Sequence, residues 1–346
     1  MIALQENLPL SPWTTFGVGG PARYFLNAAS EQDVVDGLDF AKSRHLPVFV
    51  LGGGSNLLVA DSGFPGLVLR VGIKGQLWQG DELCAAAGED WDGLVAACVE
   101  RGLAGVECLS GIPGLAGGTP VQNVGAYGQE ISGVLESVRV LDRSSEKIIE
   151  LSKDECGFGY RTSIFNTSHK NRYLVLSITY RLRKDVPATV KYPDLMRRFE
   201  GRPAPPALSE VRTAVREVRA SKGMLIVDGD PDSHSAGSFF KNPILTETEF
   251  QRIQSGVSVP VPRYPAGAER VKTSAAWLIE KAGFTKGTSS GRAAISSKHT
   301  LALVNRGGAS AAEILALGRE IRRRVEELFG VRLIAEPVFL GFDEEF

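Results

Sequence analysis

The first repeating pattern starts just after Ser30. In EQDVVDGLDFAKS the apolar residues Val34, Val35, Leu38 and Ala41 fall on one helical face, and Ser30 stands where an N-cap belongs. PVFVL (47–51) then reads as a short buried strand, GGGSN (52–56) as a loop and LVLRV (67–71) as another strand. A helix followed by strands predicts a small α/β unit that ends near residue 71.

Beyond it, LCAAAG (83–88) has strand character, and WDGLVAACVERG (91–102) predicts a helix stopped at Gly102. The next segment, GLAGVECLSGIPGLAGGTPVQNVGAYGQE, is dense in glycine; structureless runs of this length inside compact domains are usually functional. ESVRVLD (136–142), KIIELS and YLVLSITYRLR (173–183) predict a β-rich stretch. A third unit opens with the helix LSEVRTAVREVRASK (208–222). Helices are also expected over 247–255, where Thr246 and Glu249 have capping-box spacing, and over 274–282, stopped by Gly283. The last long helix starts at Ser310, with Glu313 completing a capping box. Ile314, Leu317, Ile321, Val325 and Leu328 mark its buried face, and Gly330 ends it. The terminal VRLIAEPVFLGF predicts a strand carrying one acid, Glu336.

Length and composition bound what these elements can build. A chain of 346 residues holds two domains or three, and 43% hydrophobic with 23% charged residues is the make-up of a soluble globular protein. The net charge of -1 gives no basic footprint for nucleic acid. Arg322, Arg323 and Arg324 sit inside an amphipathic helix and read as its solvated face. Cys84, Cys98, Cys108 and Cys156 contain no CxxC pair and read as buried free thiols of a reducing cytosol. His45, His169, His234 and His299 form no HxxxH or HExxH pair, so no metal is expected. The N-terminus lacks the basic start and apolar core of a signal peptide, and no apolar run reaches membrane-spanning length. A cytoplasmic monomer is the expectation.

Several segments could carry chemistry. Glycines in LGGGSN, after a strand, let backbone amides converge on a phosphate; the same residues also make a plain tight turn. The spacing fits neither GxGxxG nor GxxxxGK[ST]. GIPGLAGGTPVQNVGAYG (111–128) is richer, adding Thr119, Gln122 and Asn123 to clustered backbone donors. Two such loops suggest a diphosphate ligand between them, against structural turns as the other reading. In FGYRTSIF (158–165), Tyr160 and Arg161 lie between phenylalanines; Arg161 is either a surface cation or a bidentate partner for a carboxylate. Glu336 is either an edge acid facing water or an active-site carboxylate. Ser238, in AGSFFKNP (236–243), is a turn serine or a hydroxyl held in a partly dry pocket; it does not sit in a GxSxG elbow.

TTFGVGGPA (14–22), LGGGSNLL (51–58), IPGLAGGTPVQNVGAYG (112–128), FGYRTSIF, AGSFFKNP, AAWLIEKAG (275–283) and Glu336 occur in order over nearly the whole chain. Together they make the sequence resemble the MurB family, the UDP-N-acetylenolpyruvoylglucosamine reductases of peptidoglycan synthesis, in its type I branch, which keeps a loop like that around Tyr192 in VKYPDL. The resemblance implies an α+β flavoprotein of three domains, with noncovalent FAD in a vanillyl-alcohol-oxidase (PCMH-type) fold. The implied parts are 1–71 and 72–206 as FAD-binding subdomains, the second completed by the C-terminal strand 331–346, and 207–330 as the substrate domain. The implied reaction passes a hydride from NADPH to flavin N5 and on to substrate C3. C2 is then protonated by Ser238, giving UDP-N-acetylmuramate. Arg161 would stabilise the enolate-like charge, and Glu336 would orient the carboxyl or assist proton transfer.

The resemblance also assigns Thr15, Gly52, Gly53, Gly54, Ser55, Asn56, Pro113, Gly114, Gly117, Gly118, Thr119, Gln122, Asn123 and Gly125 to the flavin. Tyr160, Tyr192, Lys222, Asn242, Tyr264 and His299 match substrate contacts. The chain departs from the family in Pro337, directly after Glu336, where valine is common. Two rivals remain: another FAD oxidoreductase of the same fold, and a flavin- or nucleotide-sugar-binding protein without catalysis.

Overall fold

The computed structural model describes residues 2–267, 269–343 and 346, so residue 1 of the expected 1–71 span, 268 of 207–330 and 344–345 of 331–346 lie outside it. The chain forms two compact units. The first takes Met1–Leu8, Ala22–Gly54 and Pro65–Ala220; the second takes Pro9–Pro21, Ser55–Phe64 and Ser221–Phe346.

In the first unit, Leu4–Pro9, Pro21–Ala28, Phe64–Val71 and Val48–Leu51 lie in that order in one sheet. Val48–Leu51 runs parallel to Phe64–Val71, and the helix Glu31–Ser43 precedes it in the chain. Ser30 caps that helix through a capping box with Asp33. Two strands therefore come before the helix, where the hydrophobic pattern suggested that a helix came first. In Pro21–Ala28 the alternation Ala22, Leu26, Ala28 is present, but buried Phe25 on the other face blurs it.

A five-stranded antiparallel sheet follows, in the order Lys147–Ser152, Leu135–Asp142, Tyr173–Arg181, Glu82–Ala86, Gln76–Gln79. Trp91, Leu94, Val95 and Cys98 form the buried face of helix Trp91–Glu100 and join the core of this unit. Leu94 and Val95 each contribute about 1.5–3 kcal/mol on burial. Gly102 accepts the left-handed backbone just beyond that helix, at φ 71°. A smaller cluster packs Leu195 of helix Pro193–Arg198 with Val211, Ala214 and Val215 of helix Leu208–Ser221.

In the second unit, three-stranded sheets are formed by Ile244–Thr246, Arg270–Lys272 and Tyr264–Pro265, and by Ser289–Ser290, Ala293–Ile295 and Leu303–Asn305. Helices Glu247–Ser255 and Ala311–Phe329 carry the expected capping boxes, Thr246 with Glu249 and Ser310 with Glu313. Leu328 departs from the expected buried face of the long helix and is 47% exposed. It lies in the last turn, just before the left-handed Gly330, where the apolar stripe of Ile314, Leu317, Ile321 and Val325 has run past the core.

The terminal strand is shorter than the pattern implied. Only Val338–Leu340 is a strand, paired in parallel with Leu57–Val59. Glu336 lies outside it. Pro337 has no amide to donate to a ladder, and the chain changes partner there.

Candidate active site

Two glycine loops touch within the first unit. A Cβ on Gly53 would sit 2.5 Å from Gly114 Cα, so only glycine allows this approach. Gly114 itself has φ 132°. The longer loop is tied to the core beneath it: the Gly117 amide donates to Ala87, the Ala116 amide to Glu89 and the Trp91 amide to Gly114. The buried Tyr180 hydroxyl meets Thr119 Oγ1 at 3.0 Å, and Thr119 Oγ1 donates to the Ala116 carbonyl. Burial pushes the Tyr180 phenol well above its ordinary pKa, so it remains a donor.

Gly52 and Gly118 are different. Neither has a left-handed φ, and a Cβ at either would meet nothing within 4 Å. Protein packing does not require glycine there, and the space beside both is open to a ligand's close approach. That fits a flavin diphosphate on backbone amides.

Further along the loop, Asn123 (φ 45°) donates to Glu130 and to the Gly159 carbonyl and accepts from the Ser132 amide. Gly159 opens the turn that carries Arg161. Arg161 is held at φ 56°, an uncommon conformation for a side-chain-bearing residue. Its Nη2 donates to the Gly125 carbonyl at 2.8 Å, Asn166 Nδ2 donates to its carbonyl, and its guanidinium lies 5.6 Å from the Tyr160 ring centroid. Ser163 Oγ, donating to Val121, fixes the same turn to the glycine loop. Arg161 is thus aimed by the loop and is no loose surface cation. Tyr192 packs edge-on against Tyr127 at 5.1 Å.

One clamp on this loop was not legible in the sequence. Asp92, in the first turn of helix Trp91–Glu100, accepts from the Gly111 amide and from Arg212 and Arg216. Arg219 Nε donates to the Gly111 carbonyl. Burial pushes the Asp92 carboxyl up, but the hydrogen bonds from Arg212 and Gly111 and both arginine charges outweigh it and leave the pKa below the usual value. The only sequence signal was the i, i+4 arginine pair, which names no partner.

The second unit holds Ser238 and Glu336. The segment around Ser238 arches over the strand Leu303–Asn305 and the residues just before it. The Asn305 amide donates to the His234 carbonyl, Ser235 bridges Val304, and the Phe239 amide donates to the Leu301 carbonyl at 2.7 Å. Gly237, at φ 71°, makes the bend just before the serine. Ser238 itself is half-buried, followed by Phe239 and Phe240, both core residues. On the other side, the Glu336 amide donates to the Phe239 carbonyl at 2.9 Å, Phe240 bridges Ala335, and the Lys241 amide donates to Ile334. Backbone pairing therefore sets Glu336 beside the residue that follows Ser238.

Asn56 holds the chain on both sides of Pro337. Its Nδ2 donates to the Glu336 carbonyl at 3.1 Å, and its own carbonyl accepts from Val338. Thr15 Oγ1 donates to the Ser55 carbonyl. Asn242 Oδ1 accepts from the Ala275 amide, which leaves its NH2 group as the donor. Tyr264 is 49% exposed in a short strand. His299 is partly buried near Lys222, and its pKa is pushed down to about 4, first by burial and then by Lys222 and Lys286. The structure thus gathers Thr15, Ser55, Asn56, Ser238 and Glu336 in one unit and Gly53, Gly114, Asn123, Gly125 and Arg161 in the other.

Comparison with known proteins gives a consistent result. Residues 22–152 match a family model described as an FAD binding domain, and residues 230–340 match one described as UDP-N-acetylenolpyruvoylglucosamine reductase, C-terminal domain. The chain is 47% identical to the UDP-N-acetylenolpyruvoylglucosamine reductase of Thermobifida fusca, over 98% of each protein. It is also 47% identical to that of Streptomyces coelicolor, over 97% of this chain and 90% of the relative. Among solved structures, UDP-N-acetylenolpyruvylglucosamine reductase (MurB) from Thermus caldophilus aligns with a TM-score of 0.68 at 27% identity, covering 98% of this chain and all of that one (100%).

Proposed function

The chain belongs to the family of UDP-N-acetylenolpyruvoylglucosamine reductases, and from that membership we propose a division of labour among its residues. It is an FAD-dependent oxidoreductase of peptidoglycan synthesis, with an α+β fold whose N-terminal part is an FAD-binding domain. Bound FAD supplies the two-electron chemistry between NADPH and the enolpyruvyl carbon C3.

The protein's share is binding, orientation and proton placement. Gly52 and Gly118 give the flavin diphosphate close access to the backbone. Gly53 and Gly114 hold the two loops at fixed separation, and Gly54, Pro113, Gly117, Thr119, Gln122, Asn123 and Gly125 of the first unit, with Thr15, Ser55 and Asn56 of the second, are the further residues assigned to FAD. Ser238 Oγ donates the proton that C2 of the substrate takes up. Arg161 stabilises the charge that builds on C2 and its carboxylate, from a backbone already strained into place. Glu336 orients the substrate carboxyl or assists the proton transfer. Tyr160, Tyr192, Lys222, Asn242 and Tyr264 bind the sugar nucleotide. The three-part division at 71, 206 and 330 is retained as the functional layout. No helix among the described residues is long and apolar enough to cross a membrane. A monomeric cytoplasmic enzyme acting on small molecules is the reading we favour.

One observation supports the role of Ser238 most directly: its arch is pinned at both ends by backbone hydrogen bonds, with Glu336 paired to the next residue. The test is Ser238→Ala in anaerobic half-reactions. Flavin bleaching by NADPH should stay near normal, while recovery with the enolpyruvyl sugar nucleotide slows by about 10²–10⁴-fold. Equal slowing of both steps, or of neither, would remove Ser238 as proton donor.

A further inference from the structure

One nitrogen of His299 is turned toward the protein. His299 lies in the loop between strands Ala293–Ile295 and Leu303–Asn305. The loop is closed by the Ser296 amide on the Ala302 carbonyl and the Ala302 amide on the His299 carbonyl. Within it, His299 Nδ1 accepts from the Leu301 amide at 3.0 Å. A neutral ring with an accepting Nδ1 carries its proton on Nε2. Leu301 is 7% exposed, so its amide has little access to water as an alternative partner. The carbonyl of this same Leu301 receives the Phe239 amide at 2.7 Å, directly after Ser238.

We propose that His299 is a positioning residue for Ser238: its Nδ1 holds the Leu301 amide, and the carbonyl of the same residue fixes the Phe239 end of the arch that aims the serine hydroxyl. The inference rests on the reading of Ser238 as proton donor. It assigns to His299 a role distinct from touching substrate. The ring's surroundings agree with it. Burial, and then the Lys222 and Lys286 charges, hold the ring neutral near pH 7; Glu280 offsets them only in part. Nδ1 therefore stays an acceptor while the enzyme works.

Three substitutions separate the two ring nitrogens. His299→Asn places an amide oxygen near the Nδ1 position, His299→Gln places polar atoms near Nε2, and His299→Leu supplies neither. Reoxidation of the reduced enzyme by the enolpyruvyl sugar nucleotide should slow about 10²-fold in the Gln and Leu variants and only about threefold in Asn, because a displacement near 1 Å is enough to misalign a reacting group. Flavin reduction by NADPH should be unchanged in all three. The reverse pattern, with Gln active and Asn slow, would place the function on Nε2 and overturn the proposal. Ring ¹⁵N NMR of the wild-type holoenzyme tests the premise without a variant: an Nε2–H tautomer at pH 7 is expected, and an Nδ1–H tautomer or a charged ring overturns it. Ser238→Ala measured alongside keeps the two failures apart. If it leaves reoxidation intact, the Ser238 reading fails and the positioning role with it; if it stops reoxidation while the Asn and Gln pattern is reversed, only the positioning role fails.

Discussion

Gly52 and Gly53 are neighbours with opposite reasons to be glycine, and alanine weakens FAD binding at both positions but destabilises the protein at only one. At Gly53 the new Cβ would lie 2.5 Å from Gly114 Cα, 2.9 Å from its carbonyl carbon and 3.0 Å from the Leu115 amide nitrogen. All three are backbone atoms, so no side chain can swing aside. Ordinary contact begins at 3.4 Å, and 3.4 − 2.5 leaves 0.9 Å for the loops to open. Overpacking of this kind costs about 1–3 kcal/mol. A shift of 0.9 Å also stretches a hydrogen bond from about 2.9 Å to beyond bonding range. Losing one bond to a charged phosphate removes about 1.5–3 kcal/mol of affinity, or roughly 10- to 150-fold in the FAD Kd.

Gly52→Ala meets no protein atom. The apoprotein should be as stable as wild type, or more stable by up to about 1 kcal/mol through a stiffer unfolded chain. Its FAD affinity should still fall by about tenfold or more, because the methyl enters ligand space. Denaturant unfolding of the apoproteins and FAD titration by fluorescence quenching read the two effects separately. Wild-type FAD affinity in Gly52→Ala would refute the placement of the diphosphate there. Undiminished stability in Gly53→Ala would refute the close contact itself.

Asp92→Ala should destabilise the protein by about 2 kcal/mol, below the range for fully buried pairs because Arg216 remains 39% exposed; urea midpoints check it. With its folded pKa held below the unfolded value, Asp92 contributes stability that is present above about pH 4 and lost as acid protonates it, and Asp92→Ala should flatten that part of the stability–pH curve. His299 works in the same direction at higher pH. Its folded pKa of about 4 lies below the ordinary 6.5, so the unfolded chain takes the proton first and stability falls between pH 6.5 and about 4. The loss is about 3 kcal/mol at most, and His299→Asn should remove that slope. Cys98, Cys108 and Cys156 are buried with thiols pushed up to about 12, while Cys84 is half-buried. A disulfide reagent should therefore react with at most one thiol in the native protein and with four in denaturant.

Much of this molecule is written locally. The capping boxes at Thr246 and Ser310, the glycine stop after Phe329 and the three- and four-residue spacing of Ile314, Leu317, Ile321 and Val325 depend on neighbours within a few positions, and the structure has them all. The ordered motifs, from the glycine loops to Ser238 and Glu336, likewise carried the family and its cofactor. Other features required distant segments to meet. Asn56 grips Glu336 across 280 positions, and Arg212 reaches Asp92 across 120. Periodicity extended the helix's buried stripe to Leu328, but the core ends before it. It also drew a strand through Glu336, where Pro337 and pairing with Phe239 divide the chain between two partners. Whether Gly53 needs glycine for its turn or for contact with Gly114 was undecidable from the loop alone. Hydrogen bonds between near neighbours are fixed by backbone geometry and leave a mark in residue spacing. Close approach, register and burial are fixed by which surfaces pack together, and that is settled only when the whole chain has folded.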